Sequence, residues 1–217
     1  MDLKILLVDD HQIIREGLRS LIEKERGMKV VGEAANGREA VRLARELAPD
    51  VVVMDVSMPD LNGIEATRQI ASRVPAARVV ALSMHSDRRF VAEMLRAGAL
   101  GYLLKESAFD ELARAVRAVA AGGTYLSPAV AGDVVEGFVQ GDRPPTGSVV
   151  AALTPRQREV LQLVAEGWTT KRMAAHLHVS PKTIETHRLQ VMQTLGIESV
   201  AELTKFAVRE GLTSLDN

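Results

Sequence analysis

Apolar and polar positions follow two alternating patterns through residues 1–122. Short apolar runs (KILLV, MKVVGEA, VVVMD, RVVALS and GYLL) each precede a stretch with apolar residues three and four positions apart. Continuous apolar runs are typical of strands buried on both faces, and the periodic stretches, such as 13–25 and 109–121, predict amphipathic helices. This alternation predicts an α/β unit: a flavodoxin-like, doubly wound sheet of five parallel strands flanked by five helices.

The pattern changes after the first unit. The stretch GFVQGDRPPTG is rich in Gly and Pro and has little periodicity, so we assign residues 123–150 to a linker. From residue 151 onward the pattern is purely helical. Thr154 and Ser180 each stand before a proline as helix N-caps, and Gly196 marks a helix end. Residues 151–217 therefore predict a small all-α domain of four short helices.

Composition limits the classes of protein that need to be considered. A chain of 217 residues with 47% apolar content is long enough for two domains. The absence of cysteine excludes disulfides and thiolate chemistry and is typical of a reducing compartment. The sequence has no run of 18 apolar residues that could span a membrane. We therefore expect a soluble cytoplasmic protein. The net charge of -1 gives no global signature of nucleic-acid binding. Any basic surface must come from the arrangement of charges.

Chemically distinctive residues stand at the ends of four predicted strands. The first strand ends in Asp9-Asp10, the third in Asp55, the fourth in Ser83 and the fifth in Lys105. Because the carboxyl ends of parallel strands meet at one edge of a sheet, these groups should converge. Three clustered carboxylates repel one another and favour a hard cation such as Mg²⁺. With a cation and a lysine to neutralise a phosphoryl group, Asp55 can act as a nucleophile and form an aspartyl-phosphate.

Each of these residues also has an ordinary structural explanation. An Asp at a strand end is commonly a turn former, a Ser commonly bonds to the backbone, and a terminal Lys is commonly solvated. The order Asp-Asp, Asp, Ser, Lys on successive strands is what favours a functional site over these separate explanations.

The first 120 or so residues resemble the receiver domain of two-component response regulators. The matching stretches are VDDH, VVVMDVSMPDLNGIEA and ALSMHSDRRFVAEMLRAGALGYLLK. The resemblance implies that Asp55 is the phosphoacceptor. It also implies a Mg²⁺ site formed by Asp9, Asp10, Asp55 and the backbone carbonyl of Ser57.

The same resemblance implies how the phosphoryl group is sensed. Lys105 and Ser83 would contact its oxygens, and Tyr102 would be an aromatic switch that turns inward when Ser83 moves toward the phosphate. Without the resemblance, a Tyr on a strand is more often a core residue whose hydroxyl reaches water. Met84 and His85 flank the site and are candidates for tuning hydrolysis, although His85 could equally be a plain surface residue.

The C-terminal pattern has the proportions of a helix-turn-helix. A helix over 170–177, the turn His-Val-Ser and a helix over 181–195 have this spacing, which also occurs in proteins that never touch DNA. The string LTPRQREVLQLVAEGWTTKRMAAHLHVSPKTIETHRLQVMQTLGI is more specific, because it resembles the LuxR-type DNA-binding domain of the NarL/FixJ class of response regulators.

This second resemblance implies that residues 181–194 form the recognition helix. Glu185, Thr186 and Leu189 would face base edges. The candidates for contacts to DNA phosphates are Thr170, Lys171, Lys182, Thr183, His187 and Arg188.

Together the resemblances predict a transcription regulator rather than an enzyme. A sensor histidine kinase would phosphorylate Asp55, and the phosphorylated chain would form a homodimer that binds promoter DNA. One alternative is a Mg²⁺-dependent phosphatase or phosphotransferase of the haloacid-dehalogenase type, but such enzymes carry Asp-x-Asp on the first strand, and this chain has adjacent Asp9-Asp10 and no cap domain. Another is a receiver whose output acts through protein contact or RNA.

Overall fold

The chain forms two compact units. A computed structural model describes residues 2–139 and 149–213, and its contacts divide the chain into residues 1–144 and 145–217. None of the helices in the described ranges is both long enough and apolar enough to cross a membrane.

The first unit is an α/β sandwich built on one parallel sheet. Its strands are β1 (Leu3–Val8), β2 (Met28–Ala34), β3 (Val51–Asp55), β4 (Arg78–Ser83), β5 (Ala99–Leu104) and β6 (Tyr125–Leu126). Its helices are α1 (Gln12–Lys24), α2 (Gly37–Leu47), α3 (Gly63–Arg73), α4 (Arg88–Ala97), α5 (Ala108–Ala120) and α6 (Pro128–Val139), with a 3-10 turn at Lys105–Ser107. The strand order is β2-β1-β3-β4-β5-β6, and all pairs are parallel. The predicted flavodoxin-like class is confirmed.

The apolar runs form strands because both faces of the sheet are covered. Along β1, Leu6 and Val8 belong to the apolar cluster on one side of the sheet, whereas Ile5 and Leu7 belong to the cluster on the other side. Successive side chains of a strand point to opposite faces, so a strand between two helical layers must be apolar at every position.

The prediction of five strands is wrong by one, and the extra strand lies in the segment expected to be a linker. Within residues 123–150, β6 pairs with β5 through Gly101–Tyr125 and Tyr102–Leu126, and α6 follows it. A strand of two residues is too short to show a period of its own. In α6, Val130 is fully buried, which explains why this apolar segment folds onto the unit. Residues 140–148, the centre of the predicted linker, lie outside the described ranges.

The second unit contains the four predicted helices. They are α7 (Pro155–Ala165), α8 (Thr170–His176), α9 (Pro181–Leu195) and α10 (Val200–Arg209), preceded by a 3-10 turn at Val149–Ala152. Thr154 forms a reciprocal capping box with Gln157, and the Ser180 hydroxyl accepts the amide of Thr183 at 3.1 Å. Gly196 ends α9 in the left-handed region at φ 64°. The chain therefore sets the helix boundaries by local capping.

Gly63 offers a sharp test of how tightly the sheet edge is packed. A β-carbon at Gly63 would overlap the main-chain oxygen of Asp55, while one at Gly132, on α6, would meet nothing within 4 Å. We expect Gly63→Ala to lower the free energy of unfolding of the first unit by about 2 kcal/mol or more. Gly132→Ala, the matched control, should raise it by about 0.5 to 1 kcal/mol, because alanine favours the helix.

Urea unfolding of the full chain, followed by far-ultraviolet circular dichroism, measures both changes. The fluorescence of Trp168, the single tryptophan, reports the second unit and should keep its midpoint in both variants. Wild-type stability in Gly63→Ala would contradict the close packing of this glycine on the backbone of Asp55.

Candidate functional site

Two carboxylates and one ammonium meet at the carboxyl edge of the sheet. Asp9 follows β1, Asp55 ends β3, and Lys105 follows β5. The Lys105 Nζ lies 2.7 Å from Oδ2 of Asp9 and 2.8 Å from Oδ2 of Asp55. Both carboxylates are buried, so this ion triad lies largely out of water. The predicted convergence of these three residues is present in the fold.

Asp10 and His11 add further atoms that could bind a metal beside the triad. Ligand atoms of Asp9, Asp10, His11 and Asp55 all lie within 4.8 Å of one another. Asp10 Oδ1 is buried and accepts no hydrogen bond from the described residues, and the ring Nδ1 of His11 lies 3.0 Å from it. Carboxylate oxygens gathered this closely in a largely buried place suit a hard cation with oxygen ligands. The residues present therefore fit a divalent metal.

Sequence reasoning missed two residues that hold this cluster. The main-chain amide of His11 donates to Asp9 Oδ1 at 2.9 Å, and the Arg15 guanidinium donates to the main-chain oxygen of Asp9 at 2.6 Å. Arg15 is held in turn by Glu33 on β2, at 3.5 Å from Nε. The signal for His11 was its place beside the Asp pair in VDDH. For Arg15 the sequence carried none, because Glu33, its ion-pair partner, is eighteen positions away on β2.

Burial controls the proton affinity of Asp55. It raises the pKa of this carboxyl to about 7, with Lys105 opposing the rise and Asp9 adding to it. The amide of Ser57 donates to Asp55 Oδ1 at 3.3 Å and also opposes the rise. For Lys105, burial acts to lower the pKa, but Asp55 and Asp9 outweigh it and leave the pKa above its ordinary value. Without a metal, the site thus favours protonation of Asp55, which removes one negative charge.

Ser83 and Tyr102 meet at one residue of the loop after β4. The Ser83 hydroxyl accepts the amide of His85 at 3.0 Å, and the Tyr102 hydroxyl donates to the carbonyl of His85 at 2.7 Å. Tyr102 is fully buried, which raises the pKa of its phenol to about 12. Its hydroxyl therefore reaches the backbone rather than water. The ring of His85 stacks on Phe90 at 4.5 Å, while Met84 is 74% exposed.

The predicted recognition helix presents two distinct faces. On α9, Ile184 and Val191 are buried in the core of the second unit, and Leu189 is 57% exposed on the other side. Of the residues predicted to contact DNA, Lys171, Lys182, Glu185, Thr186 and Leu189 are exposed, and the half-buried ones are Thr170, Thr183, His187 and Arg188. The nine residues thus lie on α8 and α9, as the helix-turn-helix pattern predicts.

Three polar groups of α9 are already oriented by the fold. The Thr183 hydroxyl lies 2.8 Å from that of Ser180, and the Thr186 hydroxyl donates to the carbonyl of Lys182 at 3.0 Å. His187 Nδ1 is buried and has no hydrogen-bond partner among the described residues. The methyl groups of the two threonines and the other ring nitrogen of His187 take no part in these contacts.

The raised pKa of Asp55 predicts a pH-dependent stability in metal-free buffer. The unfolded carboxyl ionises near its ordinary pKa of 3.8, whereas the folded one keeps its proton up to about pH 7. The folded state therefore binds more protons in this window, and the free energy of unfolding should fall as the pH rises through it. In Asp55→Asn this contribution disappears, and the chain should be about 2 kcal/mol more stable than wild type at about pH 8.

Urea midpoints measured across this pH range in the presence of a chelator provide the comparison. Asp110→Asn, which changes an exposed carboxyl on α5, should keep the wild-type slope. An equally steep fall in Asp55→Asn and wild type would assign the pH dependence to another group.

Known proteins show the same two-part organisation. Residues 5–117 match the family described as "Response regulator receiver domain", and residues 151–207 match "Bacterial regulatory proteins, luxR family". Response regulator UvrY of Escherichia coli K12 is 36% identical over 214 residues, covering 99% of this chain and 97% of that protein.

Solved structures agree with this assignment. The crystal structure of a LuxR-family two-component response regulator from Aurantimonas sp. SI85-9A1 is 46% identical, covers 64% of this chain and 99% of that chain, and has a TM-score of 0.62. The two-component response regulator RcsB, solved in complex with DNA, is 26% identical, with 95% and 98% of the chains covered and a TM-score of 0.60. The chain therefore belongs to the response regulators that join a receiver domain to a luxR-family regulatory domain.

Proposed function

We propose that this response regulator accepts a phosphoryl group on Asp55 from a sensor histidine kinase, and that the phosphorylated chain forms a homodimer and binds promoter DNA in the cytoplasm. In this proposal it acts as a regulator of transcription and not as an enzyme. The observation that carries the proposal is the contact of Lys105 with two buried carboxylates at the carboxyl edge of the sheet. Residues 1–122 are the proposed receiver domain and 151–217 the proposed DNA-binding domain.

The chemistry of the transfer follows from the groups at this edge. An ionised Asp55 oxygen attacks the phosphorus of a phosphohistidine, the P–N bond breaks, and the imidazole leaves with the electron pair. The Lys105 ammonium, which contacts Asp9 and Asp55, supplies positive charge for a phosphoryl oxygen. Asp9, Asp10, Asp55 and the Ser57 carbonyl would hold Mg²⁺, which when bound neutralises charge on the transferring group.

Sensing of the phosphoryl group is proposed to run through His85. Ser83 and Tyr102 both bond to the main chain of this residue, one to its amide and the other to its carbonyl. A Ser83 hydroxyl that turns to a phosphoryl oxygen gives up the amide of His85, and the partner of Tyr102 then shifts as well. Such a coupled pair of hydrogen bonds is the two-state element that a switch requires.

Recognition of DNA is proposed for the exposed side of α8 and α9. RcsB, a relative over nearly the whole chain, has been solved with DNA. Glu185 can accept from cytosine N4, and the methyl groups of Thr186 and Leu189 can contact a thymine methyl. The proposed phosphate contacts are Thr170, Lys171, Lys182, Thr183, His187 and Arg188. Because only three of these six are Lys or Arg, a dimer that doubles the contacts would strengthen binding.

Phosphorylation should control DNA affinity through Asp55 alone. We expect wild type to bind a library-selected promoter fragment about tenfold tighter when Mg²⁺ and a small phosphodonor are added, within the usual range of allosteric coupling. Asp55→Ala should show no tightening, and Asp110→Ala, a change at an exposed carboxyl, should tighten like wild type. Fluorescence anisotropy measures all three. An Asp55→Ala chain that binds as tightly as phosphorylated wild type would contradict the proposal.

The two kinds of DNA contact should differ in their response to salt. Lys182→Ala is expected to weaken binding to all sequences and to reduce the slope of log affinity against log salt by about 1. Glu185→Ala should keep this slope and relax selectivity at one base pair by about 1 to 3 kcal/mol.

Affinity titrations over a range of salt concentrations, on selected and scrambled duplexes, separate these effects. Lys24→Ala, at the end of α1, serves as the control for loss of one positive charge. Equal salt slopes in Lys182→Ala and Lys24→Ala would place Lys182 away from the phosphates.

A further inference from the structure

The strand that contains Tyr102 is hydrogen-bonded to the segment that leads into α6. Tyr102 pairs with Leu126 of β6, and the amide of Ser127 donates to the Tyr102 carbonyl at 2.9 Å. The amides of Val130 and Ala131, in the first turn of α6, donate to the Ser127 carbonyl at 2.8 and 2.9 Å. The first turn of α6 is therefore two hydrogen bonds away from the main chain of the proposed switch residue.

A buried carboxylate on α5 also holds the residues just before α6. Glu111 Oε2 accepts the Ser127 hydroxyl at 2.9 Å and the Tyr125 hydroxyl at 3.1 Å, and Ser127 is buried. The Ser107 hydroxyl lies 3.1 Å from that of Ser127. Hydrogen bonds to a carboxylate are stronger than those between neutral groups, and leaving the carboxylate unpaired in a buried place is costly. We call Glu111, Tyr125 and Ser127 the α6 latch.

The apolar side of α6 belongs to the same cluster as the ring of Tyr102. Val130 is fully buried in the cluster that contains Tyr102, Val91 and Met94, and Val134 packs at its border. Val91 and Met94 lie on α4, the helix that follows the loop of His85. The docking of α6 thus depends on the positions of both α4 and β5, the two elements that border the proposed switch.

We propose that β6 and α6 form the output element of the first unit, held by the α6 latch and loosened when Asp55 is phosphorylated. The inference rests on the proposed function, which supplies the phosphoryl group. A shift of the His85 loop moves α4, and a displaced α4 no longer offers α6 the surface on which Val130 packs. Because packed interfaces have discrete arrangements, α6 then detaches instead of deforming.

Amide hydrogen exchange of the full-length chain, read on peptides within residues 128–139, tests this directly. Without phosphodonor, Glu111→Ala and Ser127→Ala should exchange about tenfold or more faster than wild type, since each removes the hydrogen bond between Glu111 and Ser127. Glu106→Ala, an exposed glutamate on the adjacent 3-10 turn, is the matched control and should exchange like wild type. With Mg²⁺ and phosphodonor, wild type should approach the rate of the latch variants.

The latch variants should also uncouple phosphorylation from output. Intact mass should give the same phosphorylated fraction in Glu111→Ala as in wild type, while phosphodonor should change its DNA affinity by less than about twofold, against the coupling expected for wild type. Where Glu111→Ala or Ser127→Ala fails to fold, Tyr125→Phe removes one hydroxyl at constant shape and should give a smaller acceleration.

Three results would overturn parts of the account, and they can be told apart. Equal exchange in wild type and the latch variants would overturn the latch. Unchanged exchange over 128–139 in fully phosphorylated wild type would overturn its role as output element. Absence of phosphorylation in wild type would contradict the proposed function, while the exchange rates without phosphodonor would still decide whether the latch holds α6.

Discussion

One ammonium shared by two buried carboxylates is the interaction on which the rest of this site depends. Parallel strands bring Asp9 and Asp55 to one edge of the sheet, where both are removed from water and repel each other. Lys105 lies within 2.8 Å of each and compensates part of this charge. Burial nevertheless outweighs the effect of Lys105, and the pKa of Asp55 stays raised. This edge of the sheet can therefore take up further positive charge, as a proton or as a cation.

The surrounding structure keeps this charged edge in place and connects it with the rest of the unit. Arg15 and the amide of His11 fix Asp9 from the side of α1. On the opposite side, the main chain of His85 joins Ser83 to Tyr102. From Tyr102 the contacts continue into β6 and the first turn of α6. These contacts form a continuous chain from the loop after β4 to the first turn of α6.

The sequence predicted the elements of the alternating strand–helix pattern and the polar residues at the ends of its strands. The five long strands could be found because each is an apolar run, and the candidate site residues because they end or follow four of these runs. The short β6 could not be found, since Tyr125–Leu126 has no period. Its attachment depends on Glu111, whose partners Tyr125 and Ser127 are fourteen and sixteen positions away. Polar contacts of this kind arise only when the tertiary fold brings distant residues together.

The helical unit shows the same division. Its boundaries followed from local capping residues, among them Thr154 and Ser180, whose partners are three positions away. The exposed side of α9 followed from helical periodicity. The orientation of its polar groups did not, because the hydroxyl of Thr186 turns back to its own helix and Nδ1 of His187 is buried against the unit. Periodicity assigns a residue to a face, while the hydrogen-bond partners of its side chain depend on the packed neighbours.

In the proposed function, the cluster at the sheet edge directs phosphoryl transfer to Asp55. The most direct measurement is to incubate the full chain with Mg²⁺ and a small phosphodonor, reduce the acyl phosphate with borohydride, and map the modified residue by mass spectrometry. Reduction converts a phosphorylated aspartate to homoserine. We expect homoserine at position 55 alone, and none without Mg²⁺. Homoserine at position 9 or 10, or an unmodified Asp55 under these conditions, would contradict it.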